Sequence, residues 1–193
     1  MDLIKKYDEI KSPSELLDFM KNINYGYLSN KEKIYRFGDK DFDKNWYDEY
    51  LLESPTDVLN NAIGNCWDQV ELERDWFLKH NYEIITIYHQ VMLEYENPYP
   101  THTFLVYKDN NKYYWFENSW DTHRGIHEFN SFDDLLEYEY KKNIILLNNF
   151  NINENEISKI KYYIFDKPKS HINASEYIKY VTSKNEIKIT HLP

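Results

Sequence analysis

The residues of this chain best suited to chemistry are one cysteine, one histidine and a polar pair at moderate spacing. Cys66 is the only cysteine among the 193 residues, and His102 opens an apolar run about 36 positions further on. Glu117 and Asn118 end the next apolar run. These residue types can supply a thiolate nucleophile, a general base and a group that orients the base.

Cys66 is predicted to begin a helix over residues 66–80, because Gly64 breaks the chain and Asn65 leads into the helical pattern. The unpaired N–H groups and the dipole at a helix N-terminus favour negative charge, and the thiolate is the reactive form of cysteine. The same N–H groups can stabilise the oxyanion of an acyl transfer. A lone cysteine is more often a small buried apolar residue, so the inference depends on its partners.

The partners are expected on two neighbouring strands. Residues 101–107 and 112–118 are rich in β-branched and aromatic side chains and flank Asp-Asn-Asn, a pattern typical of a β-hairpin. Such a hairpin places His102 opposite residue 117, 118 or 119. Because neighbouring residues of a strand point to opposite faces, only one of Glu117 and Asn118 is expected to orient the imidazole.

Sequence patterns also predict the elements that must position these residues. The expected helices lie at residues 1–10, 12–22, 54–62, 66–80, 131–142 and 173–182. The expected strands lie at residues 83–94, 101–107, 112–118 and 161–165, with a turn at 97–100. Residues 25–52 lack clear periodicity and are expected to be irregular, a lid or a surface layer. The order predicts the α+β class, with the nucleophile helix packed on an antiparallel sheet.

The segment Gly64-Asn65-Cys66-Trp67, followed by His102 and by Glu117 or Asn118, resembles the core of the transglutaminase-like superfamily. Members of that superfamily carry a nucleophile at a helix start, then a histidine and an aspartate on adjacent antiparallel strands. The resemblance covers about residues 56–121. It implies one transglutaminase-like domain over residues 1–193, with a helical or irregular N-terminal extension over about 1–54. It also implies a cofactor-free acyl-transfer enzyme acting on a protein or peptide: a peptidase, amidase, deamidase or transglutaminase.

Two short segments are also similar to papain-like proteases. Asn65-Cys66-Trp67 is similar to their Ser-Cys-Trp, and Asn118-Ser119-Trp120 matches their Asn-Ser-Trp. Papain-like chains place well over a hundred residues between cysteine and histidine, so the transglutaminase-like core is the better match. The transglutaminase pattern favours an acid at the third position and the papain pattern an amide. Both candidates stay open, with a preference for Glu117.

Four further residues are candidates for binding substrate or its oxyanion. Asn60 lies where papain-like enzymes carry an oxyanion-hole glutamine, although its side chain is shorter. Asn65 contributes to the helix start. Trp67 and Trp120 are candidate walls of a cleft, with packing in the core as the alternative. Resolution of the thioester by water is preferred over transfer to an amine, and a non-catalytic binding module is the rival class.

Composition excludes several other classes. A net charge of −10 disfavours a nucleic-acid partner, and one cysteine excludes a disulfide framework. His123 and His127 have the spacing of two ligands on a helix, but Gly125 between them argues against a metal site. The run of charges at residues 71–75 is interpreted as a solvated helix face. No apolar run is long enough for a bilayer and residues 1–12 lack a signal pattern, so a cytoplasmic protein without membrane association is expected. The oligomeric state is left open.

Overall fold

The computed structural model describes residues 3–93, 100–149, 152 and 157–187 of the chain. Its helices are α1 (Leu3–Asp8), α2 (Pro13–Met20), α3 (Phe42–Glu49), α4 (Pro55–Asn61), α5 (Cys66–Lys79), α6 (Phe132–Asn149) and α7 (Ala174–Thr182). Its strands are β1 (Asn24–Leu28), β2 (Ile34–Arg36), β3 (Ile63–Gly64), β4 (Glu83–Leu93), β5 (Thr101–Asp109), β6 (Lys112–Glu117), β7 (Gly125–Phe129), β8 (Ile157–Ile164) and β9 (Asn185–Ile187). This is the predicted α+β class.

The larger sheet has six strands in the order β7-β6-β5-β4-β8-β9, and each neighbouring pair is antiparallel. It contains the predicted hairpin of β5 and β6. Asn110 and Asn111 form the turn with φ of 48° and 62°, and asparagine tolerates this left-handed conformation better than most residues. Asp109 pairs with Lys112 across the turn. The hairpin prediction is therefore confirmed, and its register fixes the placement of the candidate site.

The two faces of this sheet pack against different helices because successive strand residues point to opposite sides. On β5, Leu105 and Tyr107 join the apolar cluster that includes α5. Phe104 and Val106 join a second cluster that includes Leu135 of α6. The sheet is thus buried on both faces, which explains why its central strands read as nearly continuous apolar runs.

Residues 25–52 are more regular than the sequence indicates. They contain the antiparallel strands β1 and β2 and the helix α3, and β1 also pairs in parallel with β3. A Cβ at Gly26 would lie 2.3 Å from the carbonyl oxygen of Tyr35, so the close approach of these strands requires glycine there. Because the pairing partners of β1 are short and one is distant in sequence, local periodicity does not predict this sheet.

The charged run on α5 is not a solvated face, and that interpretation is wrong. Glu71, Glu73 and Arg74 are all buried. Arg74 donates from Nε to Glu71 Oε2 at 3.1 Å, and the N-terminal segment covers the helix, with the Tyr7 hydroxyl donating to the carbonyl of Leu72 at 2.9 Å. The helix is covered on both sides because elements remote in sequence fold over it, which charge spacing alone does not reveal.

The structure also differs from the sequence predictions in where some helices and strands begin and end. Helix α6 continues to Asn149 rather than ending near residue 142, and β8 begins at Ile157 rather than 161. The short strands β3, β7 and β9 have too few residues to give a periodic signal. Residues 97–99 of the predicted turn lie outside the described residues. Among the helices that the structure describes, none is both long and apolar enough to cross a membrane.

Candidate active site

The start of α5 is fixed by reciprocal hydrogen bonds on either side of Cys66. Asn65 is the N-cap, and its Oδ1 accepts from the N–H groups of Trp67 at 2.9 Å and Asp68 at 3.3 Å. Asp68 Oδ2 accepts in return from the N–H of Asn65 at 2.9 Å. This is a capping box, so Cys66 occupies the first helical position, with 7% of its surface exposed.

Asp68 anchors this helix start to the preceding segment. Its Oδ1 accepts from the Tyr50 hydroxyl at 2.7 Å and from the Glu53 N–H at 2.8 Å. Burial raises the pKa of Asp68 to about 7, against the opposing effect of these hydrogen bonds and that from Asn65. The position of Cys66 therefore depends on a buried carboxyl group two residues further along the helix.

His102 is held by Glu117. The Nε2 atom of His102 and Oε2 of Glu117 are 2.8 Å apart. The register that pairs Leu105 with Phe116 places Glu117 opposite residue 104, diagonally from His102 on the same face. The other carboxylate oxygen of Glu117 accepts from the Trp120 N–H at 2.8 Å, so the carboxylate that orients the ring is itself fixed in place.

The charges of this pair favour ionisation of both members. Burial raises the pKa of Glu117, but the His102 charge and the hydrogen bonds from His102, Trp120 and Ser119 outweigh it, and the pKa is lowered. Burial lowers the pKa of His102, but the Glu117 charge and hydrogen bonds with Cys66 and Glu117 raise it well above its usual range. With Nε2 occupied by Glu117, the Nδ1 atom is the nitrogen left for the sulfur of Cys66.

Asn118 has a different role from its neighbour. It points away from His102, and its Nδ2 donates to Gln69 Oε1 at 2.5 Å. Gln69 donates in turn to the carbonyl of Gly64 at 2.8 Å. Asn118 therefore links the β6 end to the start of α5. Of the two open candidates for the third position, the structure brings Glu117 to His102.

The candidate binding residues divide into two groups. Trp67 and Trp120 border the site: Trp67 lines a cavity together with Cys66, and the Trp120 ring meets His102 edge-on with centroids 5.8 Å apart. Asn65 lies at the site as the N-cap residue of α5. Asn60 lies near the end of α4 with its side chain exposed. It is not among the described residues that line that cavity.

Tyr25 belongs to the site, although no sequence pattern indicates this. It pairs with Gly64 across β1 and β3, two residues before Cys66. Its hydroxyl interacts with both the side chain and the backbone N–H of Cys66, and burial followed by the Cys66 charge raises its pKa well above the usual range. The pairing of β1 with β3 places Tyr25 here, and periodicity within residues 25–52 does not predict that pairing.

Two buried acidic groups also lie near the site. Burial and then the charge of Glu117 raise the pKa of Glu73 well above its usual range. The ring of His89 lies behind that of His102, and the two ring centroids are 5.6 Å apart. His89 leads to the second acidic group, Glu139. Nδ1 of His89 is 2.9 Å from Oε1 of Glu139, and Oε2 of Glu139 accepts from the Tyr162 hydroxyl at 2.6 Å.

The paired histidines considered as metal ligands do not share a helix. His123 ends the short 3-10 helix Asp121–His123, and His127 lies on β7. The Nε2 atom of His127 is hydrogen-bonded to the carbonyl oxygen of His123 at 2.7 Å. Within the described part of the chain, no group of three or more metal-ligating side chains comes together.

No protein-family model matches this chain, and a comparison with curated protein sequences gives no match either.

Proposed function

We propose that this protein is a cysteine-dependent acyl-transfer enzyme acting on amide or peptide bonds, with Cys66 as nucleophile and His102 as general base and acid. The observation that carries the proposal is the position of the His102 ring. Glu117 Oε2 lies 2.8 Å from its Nε2, and Cys66 acts on the same ring through a hydrogen bond and its charge. The raised pKa of His102 favours its imidazolium form, and a neighbouring cation is a usual way to activate a cysteine.

The arrangement supports a two-step reaction. The Cys66 sulfur attacks the carbonyl carbon, a C–S bond forms, and the carbonyl electrons move to oxygen. When the tetrahedral intermediate collapses, the C–N bond breaks and His102 gives its proton to the leaving amine. His102 then takes a proton from water as its oxygen attacks the thioester carbon. The C–S bond breaks, the acyl group leaves as a carboxylic acid, and His102 returns the proton to the sulfur. Glu117 keeps the ring oriented and stabilises its charge throughout.

Two donors are available for the oxyanion of this intermediate. One is the backbone N–H of Cys66, which is unpaired within the helix because it lies in the first turn. The other is the hydroxyl of Tyr25, which already interacts with that N–H and with the sulfur. A substrate oxygen that replaces this contact accepts from both donors, and such donors stabilise developing negative charge. Tyr25 is therefore proposed to polarise the substrate carbonyl.

A transglutaminase-like core is the fold family proposed for this site. The features that support it are the nucleophile at the start of α5, the packing of α5 on an antiparallel sheet, and His102 and Glu117 on adjacent strands. Glutamate takes the position at which that family carries aspartate. Its longer side chain is accommodated because Glu117 lies diagonally from His102 rather than directly opposite.

Acetylation by p-nitrophenyl acetate tests the proposed chemistry without knowledge of the natural substrate. The expected result is a burst of nitrophenolate equal to the enzyme concentration and one acetyl group on Cys66 by mass spectrometry. The burst disappears in Cys66→Ala and His102→Ala and persists in His171→Ala, which changes an exposed histidine. Slow release of the acetyl group to water supports hydrolysis, and its capture by added amines supports cross-linking.

A non-catalytic binding module predicts a different result. Cys66 then reacts with the ester no faster in the folded protein than in urea, where the thiol has no partners. That outcome contradicts the proposed enzyme function.

A further inference from the structure

A cavity of about 250 Å³ opens beside Cys66 and has mainly aromatic walls. We call it the aromatic cavity. Its described lining includes Tyr25, Phe42, Trp46 and Trp67, and the Trp46 and Trp67 rings meet edge to face with centroids 5.6 Å apart. At about 30 Å³ per water molecule, its volume equals about eight waters, which suits one side chain better than a length of peptide. Aromatic faces attract cations through the negative potential above the ring.

One carboxylate stands in this aromatic wall. Asp43 carries the only fixed charge among the described residues that line the aromatic cavity. Its side chain is exposed in the first turn of α3, and no hydrogen bond or ion pair with another described residue engages it. A carboxylate beside several aromatic rings is complementary to a cation and unfavourable for an anion.

On the basis of the proposed acyl-transfer function, we infer that the aromatic cavity binds a positively charged group in the acyl portion of the substrate, such as a lysine or arginine side chain. Because Cys66 itself lines the cavity, a group held there stays close to the carbonyl that the sulfur attacks. The net charge of −10 acts in the same direction, since it attracts basic substrates over longer range.

Asp43 has a second possible function, because an acidic residue in the first turn of a helix is favoured by the helix dipole. The two functions predict different results. A purely local effect on α3 changes stability by a few tenths of a kcal/mol and leaves the charge preference at Cys66 unchanged. A binding function changes the preference directly.

Methanethiosulfonate reagents of different charge test the inference, because the tail that each leaves on the sulfur occupies the position of an acyl group. The cationic trimethylammonioethyl reagent is compared with the anionic sulfonatoethyl reagent on the full chain. Each rate is divided by the rate of the same reagent with 2-mercaptoethanol. The expected normalised preference for the cation is at least about tenfold, equivalent to about 1.4 kcal/mol.

Matched variants separate the aromatic cavity from the overall charge. Asp43→Asn is expected to reduce the preference at least about threefold, within the range of an exposed charge or cation–π contact. Phe42→Leu is expected to reduce it as well. Asp48→Asn removes the same charge from an exposed position on the same helix outside the described lining, and it leaves the preference nearly unchanged.

The outcomes distinguish this inference from the proposed function. Equal normalised rates for the two reagents, or equal effects of Asp43→Asn and Asp48→Asn, overturn the cationic site even when Cys66 reacts rapidly. Rates below that of 2-mercaptoethanol with both reagents contradict the activated nucleophile, while their ratio still reports on the cavity. Failure of both reagents to react contradicts both proposals, since the sulfur would then not be accessible from the cavity.

Discussion

Among single residues, Glu117 has the strongest influence on the charge of the site. Its carboxylate contacts His102 in a buried environment, where the attraction between opposite charges is only weakly screened. The pKa of His102 is raised although burial alone would lower it. Loss of the charge at position 117 is therefore expected to change the reactivity of Cys66 as well as the orientation of the ring.

Glu117→Gln is predicted to shift the onset of Cys66 alkylation by iodoacetamide to higher pH. Without the carboxylate the imidazolium is less stable, so it supports the thiolate less effectively at low pH. We expect a shift of about one pH unit and a rate at pH 6 about tenfold lower, equivalent to about 1.4 kcal/mol. Glu128→Gln removes an equal charge from an exposed position on β7 and is the control. A wild-type pH profile in Glu117→Gln would show that Glu117 is only a packing residue.

Tyr25→Phe is predicted to separate acyl transfer from simple alkylation. Acetylation by p-nitrophenyl acetate forms an oxyanion and is expected to slow at least about tenfold, since removing an oxyanion donor costs about 10²–10³ in rate in known cases. Alkylation by iodoacetamide forms no oxyanion, so its rate is expected to change less than about threefold. Tyr35→Phe is the control, because that residue lies on β2 outside the described lining of the aromatic cavity and its hydroxyl donates to Glu49 Oε2. Equal slowing of both reactions would refute the oxyanion role.

At the scale of elements, the position of Cys66 depends on how α5 begins. The side chain of Asn65 satisfies two N–H groups of the first turn, and Asp68 closes the reciprocal bond. These bonds determine where the helix starts and hence where the sulfur lies relative to β5. The cap is thus part of the positioning of the site, although it has no role in the reaction.

Asn65→Ala is predicted to lower the free energy of unfolding by about 1–2 kcal/mol, the usual cost of removing an N-cap side chain. Urea denaturation measures this change. Asn60→Ala alters an exposed asparagine on α4 and is expected to stay within about 0.5 kcal/mol of wild type. Similar stabilities of the two variants would mean that the capping box does not stabilise α5.

Local sequence signals predicted the elements that carry Cys66, His102 and Glu117, and long-range pairing determined the rest. Serine caps and the Asp-Asn-Asn turn act within a few residues, so α2, α4 and the hairpin follow from sequence alone. Strand β1 depends on β3, which lies about 40 residues further along the chain. Tyr25 could not be assigned for that reason, and the choice between Glu117 and Asn118 required the actual register.

At the scale of the whole molecule, the burial of acidic groups around α5 is the main unexpected feature. Burial and then the charge of Asp68 raise the pKa of Glu53 to about 8, and burial raises that of Asp68 to about 7. Burial likewise raises the pKa of Glu71 and Glu73. Charge spacing along the helix predicted solvation because it contains no information about the elements that cover the helix.

These groups predict that the folded state loses stability as pH rises from 5 to 8. A carboxyl whose folded pKa is raised keeps its proton in the folded state and loses it on unfolding, so its contribution declines between the two pKa values. Glu53→Gln keeps the acceptor for Asn61 and is expected to reduce this decline by about 1 kcal/mol per pH unit. Urea denaturation at pH 5, 6.5 and 8 measures the slope, with Glu9→Gln as an exposed control. A slope unchanged in Glu53→Gln would show that Glu53 ionises normally.

The most direct test of the central claim is the rate at which iodoacetamide alkylates Cys66 at pH 6. An active thiolate–imidazolium pair predicts that the folded protein reacts at least about tenfold faster than the same thiol in urea, because a free thiol is almost wholly protonated at that pH. His102→Ala is expected to abolish the excess, and His171→Ala to keep it. If Cys66 in the folded protein reacts no faster than in urea, Cys66 is a buried structural thiol and the proposed function is contradicted.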